Sequence, residues 1–420
     1  MKISFRRKSK AEWVTLFVMF MPFLFFVLME FLHVPSLIKY TIDIGWIYLL
    51  ACILKYRPKF PNAPSLKLAV IVSLFFFFAL VSFLGNFQSP MYLLWGIRNN
   101  ARFFVFFFSC IFFVSAQSVR NYLLFLDKVF WINFPIVLFQ FFALGYDRDH
   151  LGGIFGVEKG CNGYLNIFLI IIIARSLLWY LYKKEKPSTC LTKIAISLIT
   201  AVLAELKVFF VELIIIIAFL FLRTRFSARK LLITVVAGIG LVASMELLVT
   251  IFPQFVDWYR LENIWGAISS EKGYTASGDM NRTTALTIAL TRFLPTAWDK
   301  IFGLGLGNCD YAAFSFLITP FYKAYGRLNY VWFSSSFLAL ETGLAGLAIY
   351  IGFYLYIYLA VSKMPRTNME SEMYGQLVRI MVIMCIVLIF YNSSLRSEAA
   401  FMMYYVLAIP FVRNKEAIRV

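Results

Sequence analysis

Long apolar runs separated by short polar loops organise this sequence. Each run is about 20 residues long, which is the length that a helix needs to cross the hydrocarbon of a bilayer. Within lipid such runs have to be helical, because every backbone N–H and C=O must find its partner inside the segment. The pattern therefore predicts an all-α integral membrane protein with about twelve transmembrane helices. These are predicted near residues 12–32, 35–54, 67–84, 99–117, 122–145, 163–182, 190–205, 207–222, 231–251, 333–360, 378–394 and 398–412.

One long polar interruption, residues 252–332, breaks this pattern late in the chain. It separates an N-terminal bundle of about nine spans at 1–251 from a C-terminal group of three spans at 333–420, and we interpret the whole as one integral membrane domain. The interruption holds two short apolar stretches, 284–294 and 311–322. Both are too short and too polar to cross a bilayer. They are predicted to form helices that lie in the interface or cap the bundle.

Charge gives the predicted helices a direction. Hydrophobic residues make up 61% of the chain, and the formal net charge is +18. The Lys and Arg residues concentrate in every second loop, as is typical of cytoplasmic loops in membrane proteins. This distribution predicts that both termini are cytoplasmic and that 252–332 is a large outer loop. A nucleic-acid partner is not expected, because no segment is polar and long enough to form a basic soluble domain.

Several cations are predicted on the outer side, where the same charge bias disfavours them. Arg98 and Arg102 are four residues apart at the outer start of the fourth span, so they share one helical face. The others are Lys207 at the start of the eighth span, Arg282 and Arg292 in the long loop, and Arg396 before the last span. Each could extend to lipid phosphate, but as a group they favour a shared anionic ligand. Guanidinium groups bind phosphate oxygens in pairs, which makes a pyrophosphate at the outer leaflet a suitable ligand.

Acidic side chains near these cations offer acid–base chemistry. Asp149 lies beside a histidine in the loop after the fifth span, and the alternative interpretation is an exposed charged turn. Glu205 lies two residues before Lys207, so it could act as a base or as the ion partner of that lysine. The six cysteines have no CxxC spacing and the chain has two histidines, so no metal site is predicted. Cys161 and Cys309 are both predicted outside, which leaves a disulfide as an option.

In its architecture and in four short patterns, the chain resembles the O-antigen polymerase and ligase superfamily of bacterial envelope proteins, the Wzy and WaaL types. The patterns, in chain order, are Gly153-Ile154-Phe155-Gly156 with Asn162-Gly163, then Glu205-Leu206-Lys207, then Arg282 followed by a glycine run from Gly303 to Gly307, then Glu341-Thr342-Gly343. The family often has Trp where this chain has Leu286, and Arg where it has Lys207. Ligases of the family usually carry a His in the large loop. This loop has none, so a polymerase is favoured.

The resemblance implies a metal-independent glycosyltransferase without a cofactor, spanning the bacterial cytoplasmic (inner) membrane several times. Such an enzyme would transfer a growing glycan from undecaprenyl pyrophosphate to an incoming lipid-linked repeat unit on the periplasmic face. The product could be O-antigen, capsule or exopolysaccharide. The implied partners are this lipid-linked oligosaccharide, membrane lipids, a chain-length regulator and a flippase.

The resemblance also implies a role for each candidate residue. Arg282 and Lys207 would stabilise the charge that develops on the departing pyrophosphate, and Glu205 and Asp149 are the candidate bases. The residues expected to bind pyrophosphate or glycan are Arg98, Arg102, Arg292, Arg396 and Asn162. Two alternatives stay open. One is an O-antigen ligase of the same superfamily. The other is a transporter or flippase, which would be expected to show repeated halves and substrate-binding charges near the bilayer midplane.

Overall fold

The computed structural model describes residues 9–223, 227–253, 274–275, 278–312, 314–366 and 368–417, the side chains of 413–417 excepted. The first part of the predicted outer loop, 254–273, and both chain ends lie outside the described residues. Within the described ranges the regular structure is helical. The chain forms no β-strand there, and its one isolated bridge pairs Tyr274 with Met280.

Nine of the longer helices in the described residues precede the long loop. They are α1 (Lys10–Phe20), α2 (Thr41–Tyr56), α3 (Ala63–Gly85), α4 (Pro90–Phe113), α5 (Ala116–Phe142), α6 (Asn162–Leu181), α7 (Pro187–Leu203), α8 (Lys207–Arg223) and α9 (Ala228–Ile251). A 3-10 turn at Met21–Leu24 and a π turn at Val27–Phe31 lengthen α1, and a 3-10 turn at Ser36–Tyr40 leads into α2. Each predicted span before the loop therefore coincides with a helix.

Three short helices lie within the described part of the long loop, and three long helices follow it. They are α10 (Ala285–Ile288), α11 (Ala297–Phe302), α12 (Pro320–Tyr325), α13 (Ser334–Lys363), α14 (Met369–Tyr391) and α15 (Ala400–Ala417). α10 packs against α13, and α11 packs against α3 and α13. α10 and α11 therefore lie against the long helices of the bundle. The predicted stretch 284–294 forms α10 and a π turn at Ala289–Phe293, whereas 311–322 holds a 3-10 turn at Ser315–Leu317 and only the start of α12.

Seven helices in the described residues are long and apolar enough to cross a membrane, which makes the chain a multi-pass membrane protein by length and composition. They are the helix at Ser36–Tyr56, which combines the 3-10 turn with α2, together with α3, α5, α6, α9, α13 and α14. α7 and α8 have 17 residues each. That all twelve predicted spans cross the bilayer, in the predicted orientation, stays a prediction.

The most buried helices are α6, α14 and α15, and they form the centre of the bundle. α15 packs against α4, α5, α6 and α14, whereas α9 contacts its neighbours along one side and presents most of its surface outwards. Because α6 is central, the first residues of α6 meet several other elements at the same end of the bundle. The candidate functional residues lie around this point.

A break in α13 receives the glycine-rich segment that follows α11. Gly343 interrupts α13 with a φ of 65°, which a residue with a Cβ rarely adopts. The backbone N–H groups of Leu304 and Gly305 donate to the carbonyl oxygens of Leu340 and Glu341, at 2.7 and 3.1 Å. A Cβ on Gly303 would lie 2.6 Å from the Glu341 carbonyl carbon. The glycine run therefore allows two backbones to pack closely at the break.

Candidate functional site

A tight turn between α7 and α8 brings an acid and a base together. Glu205 adopts a φ of 53° in this turn, and Lys207 is the first residue of α8. The Lys207 Nζ lies 2.9 Å from the Glu205 Oε1. The other carboxylate oxygen, Oε2, lies 3.5 Å from the Nε of Arg148, in the loop after α5. Glu205 is therefore shared by two cations from different parts of the chain, and both of its oxygens face positive charge.

Asn162 connects this turn to the loop that carries Asp149. Its side-chain Nδ2 donates to the Asp149 Oδ1 at 3.1 Å and to the backbone carbonyl of Ala204 at 3.3 Å. Because Asn162 is the first residue of the central helix α6, its position is fixed by the core of the bundle. In the described residues Asp149 forms no ion pair with a cation, so its carboxylate stands beside the cations without being neutralised by one of them.

Arg282 reaches the same place from the long loop between α9 and α13. Its Nη1 donates to the hydroxyl of Tyr391 at 2.7 Å, and the guanidinium carbon lies 4.3 Å from the centre of that ring. Arg282 and Arg148 are both close enough to Lys207 for their positive charges to act on its ammonium group. No carboxylate within the described ranges pairs with Arg282, whose side chain is exposed. Its one polar partner there is a neutral tyrosine.

The cation cluster, defined as Arg148, Lys207 and Arg282, therefore collects charge from three separate elements. Glu205 offsets part of the repulsion among these three charges, and an anion that binds among them would offset more of it. Four residues that the sequence predicted as catalytic, together with Asn162, are brought together here. Arg148 and Tyr391 were not predicted. Tyr391 ends an apolar run and gives no sequence signal of its own.

Three of the other predicted cations, Arg98, Arg102 and Arg396, form a second network in which each arginine has a carboxylate. Arg98 contacts Asp43 at 2.5 Å, and Arg396 lies 3.6 Å from Asp310. Asn99 joins the two pairs, because its Nδ2 donates to the second oxygen of Asp310 at 2.6 Å. The structure therefore accounts for these arginines by internal ion pairs. Their binding of substrate stays a prediction.

Arg102 belongs to the same network and has a buried partner that the sequence analysis did not single out. Its Nη1 contacts Glu398 at 2.8 Å, and its Nη2 donates to the carbonyl of Arg396 at 3.0 Å. The hydroxyl of Tyr164 donates to the other oxygen of Glu398. Burial alone would raise the pKa of Glu398, but the Arg102 guanidinium and the Tyr164 hydroxyl outweigh that effect and lower the pKa to about 2. The pair is a buried, ionised contact between α4 and the segment before α15.

Three consecutive residues at the start of α6 link the cation cluster to this network. Asn162 faces Asp149, and Tyr164 faces Glu398. Gly163, between them, is so close to Ser394 that a Cβ would lie 2.8 Å from the serine Oγ. The start of α6 therefore stands between both groups of charges, and a displacement of this helix would change both.

Three further expectations concern residues away from the cluster. The Arg292 Nη1 donates to the Tyr274 hydroxyl at 2.7 Å, and its charge is not among those that act on Lys207. All six cysteines, Cys161 and Cys309 included, are free thiols, so the optional disulfide is absent. Among the described side chains no group of three or more His, Cys, Asp or Glu could hold a metal ion.

Comparison of the chain with protein-family models found no match, and a search of curated proteins found none either. The family resemblance noted from the sequence therefore stays a hypothesis.

Proposed function

We propose that the protein is a polysaccharide polymerase of the bacterial cytoplasmic membrane. It would transfer a growing glycan from undecaprenyl pyrophosphate to an incoming lipid-linked repeat unit on the outer face. The observation that supports this function is the meeting of Arg148, Lys207 and Arg282 at one end of the bundle. Three cations from separate elements, one of them without a carboxylate partner in the described residues, suit a ligand with two adjacent phosphates.

In the proposed reaction the cation cluster binds the pyrophosphate of the donor lipid. A hydroxyl of the acceptor sugar attacks the anomeric carbon, and the bond from that carbon to the pyrophosphate oxygen breaks. The electron pair of that bond stays on the pyrophosphate, where Arg282 and Lys207 stabilise the new charge. Preorganised cations at a developing anion are the largest contribution that such a site can make to the rate.

The proton of the attacking hydroxyl passes to a carboxylate. Of the two candidates, Glu205 has a cation on each oxygen. Asp149 accepts a hydrogen bond from the neutral Asn162 amide and is exposed. Asp149 is therefore the better candidate base, and Glu205 the residue that holds Lys207 and Arg148 in place.

The experiment compares Arg282→Ala with Arg327→Ala in a strain that lacks the chromosomal copy. Both residues are exposed arginines of the long loop, but Arg327 belongs to the turn Gly326–Leu328, and its charge is not among those that act on Lys207. We expect Arg282→Ala to abolish long polysaccharide at a normal amount of protein in the membrane, and Arg327→Ala to support it. Normal chain length in the Arg282 variant would contradict the assignment.

The glycans that a deletion strain accumulates distinguish a polymerase from a ligase and from a flippase. Loss of a polymerase leaves single repeat units attached to the acceptor. Loss of a ligase leaves the acceptor bare and polymer on the lipid carrier. Loss of a flippase leaves repeat units on the inner side of the membrane, out of reach of an outer-face polymerase. Each outcome can be read from the glycans on acceptor and carrier in a deletion strain.

A further inference from the structure

A carboxyl and an amide are buried together directly beneath the cation cluster. Glu212 follows Lys207 by five residues on α8, and Asn166 follows Asn162 by four residues on α6. Both side chains are fully buried, with 0% exposure. The Asn166 Nδ2 lies 2.9 Å from the Glu212 Oε2. This contact joins the two helices that position the cluster, about one helical turn further into the bundle.

No cation compensates a charge at this position. In the described residues Glu212 forms no ion pair with Lys, Arg or His. The titratable groups near it are Tyr391 and Cys385, both on α14, and both are neutral at physiological pH. An ionised carboxylate that is removed from water without a partner is strongly destabilising. The favourable state of such a group is the neutral acid.

The hydrogen-bond inventory points to the same state. Glu212 Oε1 and Asn166 Oδ1 are both buried without a hydrogen-bond partner. Both are acceptors when the carboxyl is ionised, so neither can satisfy the other. If the Glu212 Oε1 carries a proton and donates it to the Asn166 Oδ1, both oxygens have a hydrogen-bond partner. Acid and amide then form a closed ring of two parallel hydrogen bonds, and no buried polar atom of the pair is left over.

We propose that Glu212 is a proton-holding positioning residue whose neutral carboxyl, paired with Asn166, locks α8 to α6 beneath the cation cluster. The lock fixes the distance between Lys207 and Asn162, and so the geometry of the cluster above it. A neutral acid also keeps a buried negative charge away from cations that have to bind phosphate. The consequence for activity rests on the proposed function, whereas the protonation of Glu212 does not.

The first test measures the proton directly. The full-length protein is reconstituted in lipid nanodiscs, and its infrared spectrum is compared with that of Glu212→Gln. We expect the wild-type protein to show the C=O stretch of a buried, protonated carboxylic acid at neutral and at mildly alkaline pH, shifted in heavy water and absent from the variant. Absence of this band from the wild type would overturn the proposal, whatever reaction the protein catalyses.

The second test uses the conservative substitution. Glu212→Gln restores the same ring with a permanently neutral amide, so its polysaccharide synthesis is expected to stay within about twofold of wild type. Glu212→Leu fills a similar volume without the ring, and it is expected to lower synthesis at least about tenfold. A large loss in Glu212→Gln, at a normal amount of protein in the membrane, would show that an ionised Glu212 is required and would overturn the proposal.

The two proposals fail in different ways. If Arg282→Ala and Lys207→Ala both leave polysaccharide normal, the proposed function is wrong, but the infrared band still tests the state of Glu212. If the infrared band is absent while Arg282→Ala abolishes long polysaccharide, the proposed function is supported and the proposed neutral state of Glu212 is wrong.

Discussion

Replacement of Lys207 separates the two roles that a cation at this position could have. In Lys207→Ala the pair with Glu205 is lost, but Glu205 keeps Arg148 as a second cation, 3.5 Å from its Oε2, so its charge is not left alone. The Lys207 side chain is 21% exposed, and loss of a partly exposed pair whose carboxylate stays paired is expected to cost about 1 kcal/mol of stability. Loss of a preorganised charge at a departing anion costs about 3 to 4 kcal/mol in the transition state, or roughly a hundredfold to a thousandfold in rate. Catalysis is therefore expected to suffer far more than folding.

The assay follows both quantities in the same samples. Protein amount and thermal stability are measured after purification in detergent, and polysaccharide length is measured in cells of a deletion strain. We expect Lys207→Ala to fold at nearly the wild-type temperature and to make no long polysaccharide. Lys207→Arg keeps the charge and is expected to keep chain elongation. Lys207→Met keeps the aliphatic stem without the charge, so it is expected to fail like the Ala variant.

Two results would refute the reasoning. Normal polysaccharide in Lys207→Met would show that the charge is not needed. A large fall in thermal stability, shared by the Ala and Met variants, would show that Lys207 acts through the fold. Glu205→Gln serves as a second measurement. It removes the negative charge between Lys207 and Arg148 but keeps all three cations of the cluster. We expect it to lower polysaccharide synthesis, because Glu205 holds two of these cations in place.

Three further predictions follow from the surrounding structure. The pKa of Glu398 is lowered from 4.5 to about 2, so the ionised carboxylate adds about 3 kcal/mol to the free energy of unfolding above pH 4.5, and this contribution is lost as the pH falls towards 2. Thermal unfolding at a series of acidic pH values should show the loss. Glu398→Gln, which leaves Arg102 unpaired, should remove that part of the pH dependence. Gly96→Ala should lower the free energy of unfolding by about 3 kcal/mol or more, because the added Cβ would lie 2.5 Å from the backbone nitrogen of Gly307. Gly352 has open space around it, so Gly352→Ala should change the same quantity by less than about 1 kcal/mol. Arg292→Ala should reduce polysaccharide length much less than Arg282→Ala, and an equal loss in both would place Arg292 in the binding site after all.

The two groups of charges differ in a way that bears on these predictions. In the second network each arginine is opposed by a carboxylate, as Arg98 is by Asp43 and Arg102 by Glu398. Substitution of Arg102 is expected to act first on stability, because its side chain is only 5% exposed and its removal leaves the buried Glu398 without its cation. In the cation cluster the charges are close together and Arg282 is exposed. Substitutions there are expected to act first on ligand binding.

The presence of the helices could be predicted from the sequence because it depends on local information. Their limits were less well predicted, since α4 begins at Pro90 and α14 at Met369, each nine residues before the predicted start at 99 or 378. An apolar run of membrane-spanning length predicts a helix wherever it occurs, and every predicted span coincides with a helix in the structure. The position of the long loop along the chain followed from the same pattern, and its location on the outer side stays a prediction. The cations at its edge were identified by charge bias alone, which does not require knowledge of any contact.

Tertiary structure alone decided which of these cations act together. Arg98 and Arg102 share a helical face, yet their carboxylate partners lie 55 and 296 residues away along the chain, and both partners neutralise them. Lys207 and Arg282 are 75 positions apart along the chain and meet because the start of α8 and the long loop lie at the same end of the bundle. Hydropathy and charge patterns describe each segment separately. The packing of the helices determines which side chains of distant segments face each other, and so which charges are paired and which remain available to bind an anion.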